Sequence, residues 1–222
     1  MKLSSLLLIA LLIAAQSVRA SIYEKTPAQP DPSAQYIIYL HGAIIESMGR
    51  RPTHPRFGVY EYDQVLNALD NTGAHVISET RPKGTKVQEY AVHVVKQIKS
   101  LKAANIPSQN ITVVGFSKGG MIALRSSHLM DDPNLNFVFL AACNPGNRKA
   151  GLKLSGRTLS IIETTDKIGT TCLPFKDTAK NGMVMDQVVI NTGKMHGAFY
   201  QPDERWLTPL KAWMLKARDV TQ

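Results

Sequence analysis

The sequence has 222 residues, a formal net charge of +9 from 26 basic and 17 acidic residues, and a hydrophobic content of 44%. This length predicts one domain with a sizeable core. The basic residues are scattered, and the densest spots, Arg50–Arg51 and Arg148–Lys149, are not basic runs interleaved with aromatic residues. The charge therefore does not indicate nucleic acid as a partner, and attraction to acidic surfaces is the simpler interpretation.

Residues 1–20 have the pattern of a secretory signal peptide. Lys2 supplies a positive start, Leu6–Ala15 is an unbroken apolar run, and Val18–Arg19–Ala20 places small residues at the cleavage positions. Cleavage after Ala20 would leave a single domain at residues 21–222. The apolar run is shorter than the ~20 residues of a membrane span, and no later segment approaches that length. We therefore expect an exported protein, periplasmic or secreted, that does not span a membrane, and an uncleaved anchor is the less favoured alternative.

Six short runs of apolar and branched residues predict β-strands. The first is continuously apolar, which is typical of a strand that is buried on both faces. It follows a Pro-rich, polar lead-in at Ser21–Gln35. The six predicted strands are Tyr36–Leu40, His75–Glu79, Ile111–Gly115, Phe137–Ala142, Thr158–Glu163 and Val188–Asn191.

Helical patterns separate most of these strands. In the clearest of them, from Thr85 to about Ala104, apolar residues recur on one face. Asn144–Gly156 is too short and too rich in glycine for a full helix, and Pro209 indicates a late start for the last helix. The predicted helices are Tyr60–Leu69, Thr85–Ala104, Lys118–Met130 and Glu204–Ala217. This alternation predicts an α/β fold with a mostly parallel central sheet and helices on both faces, a three-layer sandwich.

The segment Gly115–Phe116–Ser117–Lys118–Gly119 joins the third predicted strand to the third predicted helix. Between a strand and a helix, the pattern Gly-x-Ser-x-Gly is typical of a nucleophile elbow. Its glycines let backbone segments approach closely in a sharp turn, which leaves the Ser117 hydroxyl exposed at the N-terminal end of a helix. The five-residue pattern alone is common by chance, so the rest of the sequence must supply the other parts of a site.

A serine nucleophile needs a base and an acid that orients the base. His196 follows the last predicted strand, at the edge where parallel sheets place their sites. Asp166 lies three residues after the preceding strand, in a polar turn that suits a carboxylate bound to an imidazole. Ser117, Asp166 and His196 are therefore the predicted catalytic residues. Glu163 is the alternative acid, and Asp177 is a distant third.

An oxyanion is stabilised by two backbone donors. One is expected to be the N–H of Lys118, which follows the serine. The other is expected to be the N–H of Ala43, which follows the first predicted strand and the pair His41–Gly42. His41 precedes the serine and is interpreted as a buried structural or positioning residue that lines the site with Gly42. His54, in the next Pro-containing loop, is a further candidate lining residue.

The two cysteines, Cys143 and Cys172, follow strands that we expect to be neighbours. A disulfide bond and two free buried thiols both fit this spacing. The sequence has no HExxH, CxxC or Walker motif, so neither a metal site nor a phosphate-binding loop is indicated. We therefore expect no metal and no cofactor, and the oligomeric state stays open.

Together, His41–Gly42 after a strand, the Gly115–Gly119 elbow, Asp166 and His196 resemble the α/β-hydrolase superfamily. The resemblance covers most of the mature chain and implies a Ser–Asp–His triad that acts through an acyl-enzyme. Two features depart from the pattern of the superfamily. Lys118 follows the nucleophile, where many relatives carry another residue type. The stretch between the fourth and fifth strands is also too short for a cap domain, so we interpret the chain as a small, cap-less, exported member.

The function that this resemblance implies is hydrolysis of carboxylic esters by an exported serine hydrolase. The substrate would be a small molecule or an acylated group that enters an open site. Peptidase or amidase activity on the same triad and a non-catalytic binding role are the alternatives. Arg51, His54 and Arg81 follow early strands and are hypothesised to bind an anionic group of the substrate, although solvated loop charge is the favoured interpretation.

Overall fold

The structure is a computed structural model that describes residues 21–219. The signal peptide predicted at residues 1–20 lies outside the described residues. The strands are β1 (Ile22–Tyr23), β2 (Tyr36–Leu40), β3 (Thr53–His54), β4 (Gly58–Val59), β5 (His75–Ile77), β6 (Ile111–Phe116), β7 (Asn136–Leu140), β8 (Arg157–Glu163) and β9 (Val184–Ile190). The α-helices are α1 (Ala43–Met48), α2 (Tyr62–Asp70), α3 (Val87–Ala103), α4 (Lys118–Leu129), α5 (Pro145–Lys149) and α6 (Glu204–Asp219).

A seven-stranded sheet has the order β1-β5-β2-β6-β7-β8-β9, and every neighbouring pair in it is parallel. The predicted parallel sheet is therefore confirmed, and all six predicted strands belong to it. The ends of five of them shift by at most two residues, whereas β9 begins four residues before the predicted Val188. The seventh strand, β1, lies in the segment that was expected to be an irregular lead-in. Its two residues pair with Val76 and Ile77 of β5, and two residues are too few to leave a recognisable sequence pattern.

Alternate residues of β2 belong to two different hydrophobic layers. Tyr36, Ile38 and Leu40 pack on the face that α3 and α4 cover. The intervening Ile37 and Tyr39 pack on the other face, which α2 and α6 cover. Because helices cover both faces, all of β2 is buried, as a continuously apolar strand should be. The predicted three-layer arrangement is therefore confirmed.

Three helical segments differ from the sequence-based expectation. The short helices α1 and α5, of six and five residues, lie in segments for which the sequence predicts no helix. α5 begins where the Asn144 side chain accepts the N–H of Asn147 at 2.9 Å, an ordinary N-cap. α6 starts at Glu204 and contains Pro209, because burial of residues such as Trp206 outweighs the local cost of proline. Within residues 21–219, no helix is long and apolar enough to cross a lipid bilayer.

A disulfide bond joins Cys143, which follows β7, to Cys172, which follows β8. The two Cα atoms are 5.3 Å apart, and both residues are fully buried. Beside the bond, the N–H of Thr170 donates to the carbonyl of Cys143 at 2.7 Å. The pairing that the sequence spacing left open is therefore present, and it ties together two neighbouring loops at the carboxyl edge of the sheet.

Replacing both cysteines by alanine (Cys143→Ala with Cys172→Ala) is expected to lower the free energy of unfolding. The cysteines are 29 positions apart, and a cross-link of that span removes loop-closure entropy worth about 3–4 kcal/mol from the unfolded chain. Urea denaturation with and without dithiothreitol measures the loss. Dithiothreitol should destabilise the wild type and leave the double variant unchanged. Equal stability of the double variant and the oxidised wild type would contradict this role of the bond.

Candidate active site

Ser117 occupies the sharp turn between β6 and α4. Its φ of 52° and ψ of −116° lie outside the ordinary regions for a residue with a side chain, a kind of strain that clusters at functional sites. The Ser117 N–H donates to the carbonyl of Leu140 at 3.0 Å, and its carbonyl accepts the N–H of Met121 at 3.0 Å. The turn is therefore held by β7 on one side and by the first turn of α4 on the other.

Three glycines make this turn possible because other atoms occupy the space beside each of them. A Cβ on Gly115 would lie 2.4 Å from the carbonyl oxygen of Gly119. A Cβ on Gly119 would lie 1.9 Å from the carbonyl oxygen of Leu40, at the end of β2. A Cβ on Gly120 would lie 2.3 Å from the Cβ of Ala142. The first turn of α4 therefore packs directly against the neighbouring strands and their loops.

His196 lies next to Ser117, in the short 3-10 helix Met195–Phe199 that follows β9. Its Nε2 is 2.9 Å from Ser117 Oγ, and its Nδ1 is 2.7 Å from Asp166 Oδ2. The other oxygen of Asp166 accepts the N–H of Ile168 at 2.8 Å, which fixes the carboxylate. Both side chains of the His–Asp pair are buried. The fold thus joins the serine, the histidine and the preferred acid into one hydrogen-bonded chain.

Glu163, the alternative acid, binds backbone groups. Its carboxylate accepts the N–H groups of Thr165 at 2.7 Å, Thr192 at 3.0 Å and Gly193 at 3.1 Å. Burial alone would raise the pKa of Glu163, but hydrogen bonds from the same residues outweigh burial and lower that pKa. Glu163 therefore ties the loop after β8 to the loop after β9. Asp177, the third candidate, is exposed in a 3-10 helix.

The two residues predicted to bind an oxyanion, Ala43 and Lys118, are the first residues of α1 and α4. The first N–H groups of a helix have no partner within that helix. β2 and β6 are neighbouring parallel strands, so the segments that follow them meet. A Cβ on Gly42 would lie 3.7 Å from the Cβ of Ser117, which brings the start of α1 beside the elbow.

His41 is fully buried between the elbow and the loop after β5. Its Nδ1 is 2.8 Å from the carbonyl oxygen of Gly42, and its Nε2 accepts the backbone N–H of Arg81 at 3.0 Å. These partners fit a neutral ring with its proton on Nδ1. Burial, followed by the nearby Arg81 charge, lowers the pKa of His41 to about 3. At neutral pH the ring is therefore uncharged, and it holds the backbone that leads into Ala43.

The β3–β4 hairpin covers His196 through Phe57, a residue with no sequence motif of its own. The Phe57 ring is 5.8 Å from the His196 ring, and a Cβ on Gly197 would lie 2.5 Å from the Phe57 carbonyl oxygen. His54, predicted to line the site, stacks on Phe57 at 4.3 Å. His54 therefore contacts Phe57, which in turn lies beside His196.

The three loop residues that were considered for binding an anion have other partners. Arg51 pairs with Glu61 at 2.6 Å. The Arg81 side chain is fully buried, and its Nε is 3.0 Å from Glu46. His54 accepts two backbone N–H groups of its own hairpin at Nδ1. These contacts favour ordinary structural roles for all three.

The arrangement has the chemical parts of an acyl-transfer site. A hydroxyl, an imidazole and a carboxylate in one hydrogen-bonded chain can transfer the serine proton as the oxygen attacks. The first backbone N–H groups of α1 and α4 are donors of the kind that stabilise negative charge on an oxygen. Within residues 21–219, no group of three or more histidine, cysteine or acidic side chains is arranged to hold a metal ion.

No protein-family model and no curated protein sequence matches the chain. Solved structures do match it. SOBER1 from Arabidopsis thaliana has a TM-score of 0.60 at 16% identity, over 84% of this chain and 100% of that one. Est1E from Butyrivibrio proteoclasticus has a TM-score of 0.57 at 12% identity, over 88% and 93% of the two chains. An arylesterase has a TM-score of 0.56 at 14% identity, over 89% and 79%.

Structural similarity at 12–16% sequence identity establishes the fold of this chain. The chain has the α/β-hydrolase fold, with a mostly parallel seven-stranded sheet and helices on both faces. The resemblance read from the Gly115–Gly119 elbow and its surroundings is therefore confirmed at the level of the fold.

Replacing Gly119 by alanine is expected to destabilise the elbow, because the new Cβ would lie 1.9 Å from the carbonyl oxygen of Leu40. Overpacking of this kind lowers the free energy of unfolding by about 1–3 kcal/mol or more. The atom in the way here is a backbone oxygen, which cannot rotate aside as a side chain can. Gly146→Ala is the matched control, since its Cβ would lie 3.2 Å from the side-chain oxygen of Asn144, a contact that a shift of a few tenths of an ångström relieves. Thermal unfolding of both variants measures the difference. A Gly119→Ala variant as stable as Gly146→Ala would contradict the close packing.

Proposed function

We propose that the chain is an exported serine hydrolase that cleaves carboxylic esters, with Ser117 as nucleophile, His196 as base and Asp166 as orienting acid. One observation carries this proposal. Ser117 Oγ is 2.9 Å from His196 Nε2, and the Nδ1 of the same ring is 2.7 Å from Asp166. One similar structure is an arylesterase, which favours an ester as the substrate. Export rests on the signal peptide predicted from the sequence.

In the first half of the reaction, the Ser117 hydroxyl attacks the acyl carbon of the ester. As the bond from Oγ to carbon forms, the hydroxyl proton passes to His196 Nε2. Asp166 accepts the Nδ1–H of the ring and stabilises the imidazolium. The N–H groups of Ala43 and Lys118 donate to the carbonyl oxygen as it becomes negative.

Collapse of the tetrahedral intermediate breaks the bond to the alcohol, which leaves with the proton that His196 carries. Water then attacks the acyl-enzyme while His196 takes one of its protons. The second tetrahedral intermediate collapses to release the carboxylic acid, and the proton returns to Ser117. Both halves use the same base and the same two backbone donors.

A fluorophosphonate probe is expected to label the wild type, which should also hydrolyse p-nitrophenyl esters. Ser117→Ala should lose both reactions and remain folded, because the change removes one hydroxyl that contacts His196. Full ester hydrolysis by Ser117→Ala would contradict the role of this serine. A panel of esters and aminoacyl anilides separates esterase from amidase activity. A folded wild type that takes no label would favour the non-catalytic alternative.

The two candidate acids are expected to differ in their effects on kcat and on stability. Asp166→Asn should lower kcat by about 1,000- to 10,000-fold, because an amide favours the wrong histidine tautomer. Glu163→Gln should mainly lower the free energy of unfolding, since the amide cannot accept from all three N–H groups. The pKa of Glu163 is lowered in the folded protein. Its stabilisation is therefore present above about pH 4.3 and is lost as the pH falls through the folded pKa.

Steady-state kinetics at pH 7 and urea denaturation between pH 7 and pH 3 make this comparison. The difference in the free energy of unfolding between wild type and Glu163→Gln should decrease as the pH is lowered toward 3. Asp177→Asn serves as the control, because Asp177 is exposed and should affect neither quantity. A larger loss of kcat in Glu163→Gln than in Asp166→Asn would transfer the role of the acid to Glu163.

A further inference from the structure

The carboxylate of Glu46 bridges two cationic side chains beside the elbow. Its Oε2 is 2.5 Å from Lys118 Nζ, and its Oε1 is 3.0 Å from Arg81 Nε. Side-chain exposure is 4% for Glu46, 0% for Arg81 and 20% for Lys118. Charge-assisted hydrogen bonds at this depth constrain geometry far more than exposed ion pairs do. The bridge also accounts for the ammonium group of Lys118, the unusual residue of the elbow.

Arg81 extends the bridge to the backbone that precedes Ala43. Its Nη2 donates to the carbonyl of His41, and its own N–H donates to His41 Nε2 at 3.0 Å. His41 Nδ1 in turn lies 2.8 Å from the carbonyl oxygen of Gly42. The arginine that binds Glu46 therefore also holds the two residues that lead into Ala43.

Helix α1, which carries both Ala43 and Glu46, packs on the core through Ile45 and the partly buried Ile44. It is six residues long, and Ile45 is its buried apolar residue. Its N-cap is Gly42, which has no side chain to bind the first N–H groups. A helix this short is not stable by itself. The ion pairs of Glu46, one turn after Ala43, add a direct link from α1 to α4 and so help to fix where α1 lies relative to α4.

We propose that Glu46 is a positioning residue that sets the spacing between the backbone N–H groups of Ala43 and Lys118. This inference rests on the proposed function, in which both N–H groups bind the oxyanion. Glu46 shares α1 with the first donor, and its ion-pair partner Lys118 is itself the second. One carboxylate thus links the two halves of the oxyanion site. Removing it would leave the cations of Arg81 and Lys118 close together without their shared anion.

Kinetics of Glu46→Gln, Lys118→Met and the double variant test this role. Loss of a complete oxyanion donor lowers kcat by about 100- to 1,000-fold. Displacing the donors should lower kcat less than the loss of a complete donor does. Each single variant should therefore lower kcat about 10- to 100-fold and change KM less than about 3-fold. Lys118→Arg keeps the cation and should retain most of the wild-type kcat. The double variant should be no slower than the slower single variant, because both changes remove the same bridge.

The matched control is the ion pair of Lys102 and Asp132, which lies beyond the C-terminal end of α4. Lys102→Met and Asp132→Asn should lower Tm and leave kcat unchanged. Normalising kcat to the sites titrated by the fluorophosphonate probe separates a positioning effect from a loss of folded protein. If Glu46→Gln does not fold, Lys118→Met carries the test, because it leaves the pair of Glu46 and Arg81 in place.

Two results would overturn the positioning role and leave the proposed function intact. One is a kcat per titrated site within about 2-fold of wild type in folded Glu46→Gln and Lys118→Met. The other is a double variant whose loss is the product of the single losses, since the two residues would then act independently. A wild type that neither hydrolyses esters nor reacts with the probe would instead overturn the proposed function, and the positioning role with it.

Discussion

Close contact between the backbone of α4 and the end of β2 is the constraint on which the site depends. Gly119 lies so near Leu40 that no side chain fits between them, and Ser117 takes a positive φ two residues earlier. The same contact brings the segment after β2 to the elbow, where the proposed mechanism has the N–H groups of Ala43 and Lys118 bind one substrate atom. The strained serine backbone persists because the packing around it leaves no room to relax.

Three buried acidic side chains around the elbow have different partners and therefore different roles. Asp166 binds the ring of His196 and one backbone N–H. Glu163 binds N–H groups from two loops, and Glu46 binds two cations. A buried charge is tolerated when such partners surround it. Two of the three carboxylates hold loops and helices in place, and the third is directed at the histidine.

The fold class could be predicted because burial on both faces of a sheet leaves a local pattern. β2 is buried along its whole length and is apolar at every position. β1 and the β3–β4 hairpin could not be predicted, since strands of two residues are held by backbone hydrogen bonds and need no side-chain pattern. The start of α6 at Glu204, before Pro209, could not be decided from local sequence either, because the packing of Trp206 on the sheet stabilises the helix there.

The sequence by itself determined the elbow and the chain order of Ser117, Asp166 and His196, each after a strand (β6, β8 and β9), because glycine spacing and strand order are local properties of the chain. Only the tertiary structure decided which carboxylate binds the histidine, whether the two cysteines pair, and where the ammonium group of Lys118 goes. These outcomes depend on distances between loops that meet at one edge of the sheet. Lys118 and its partner Glu46 are 72 positions apart, and Ser117 and His196 are 79 apart. Their contact therefore exists only when the parallel strands have brought those loops together.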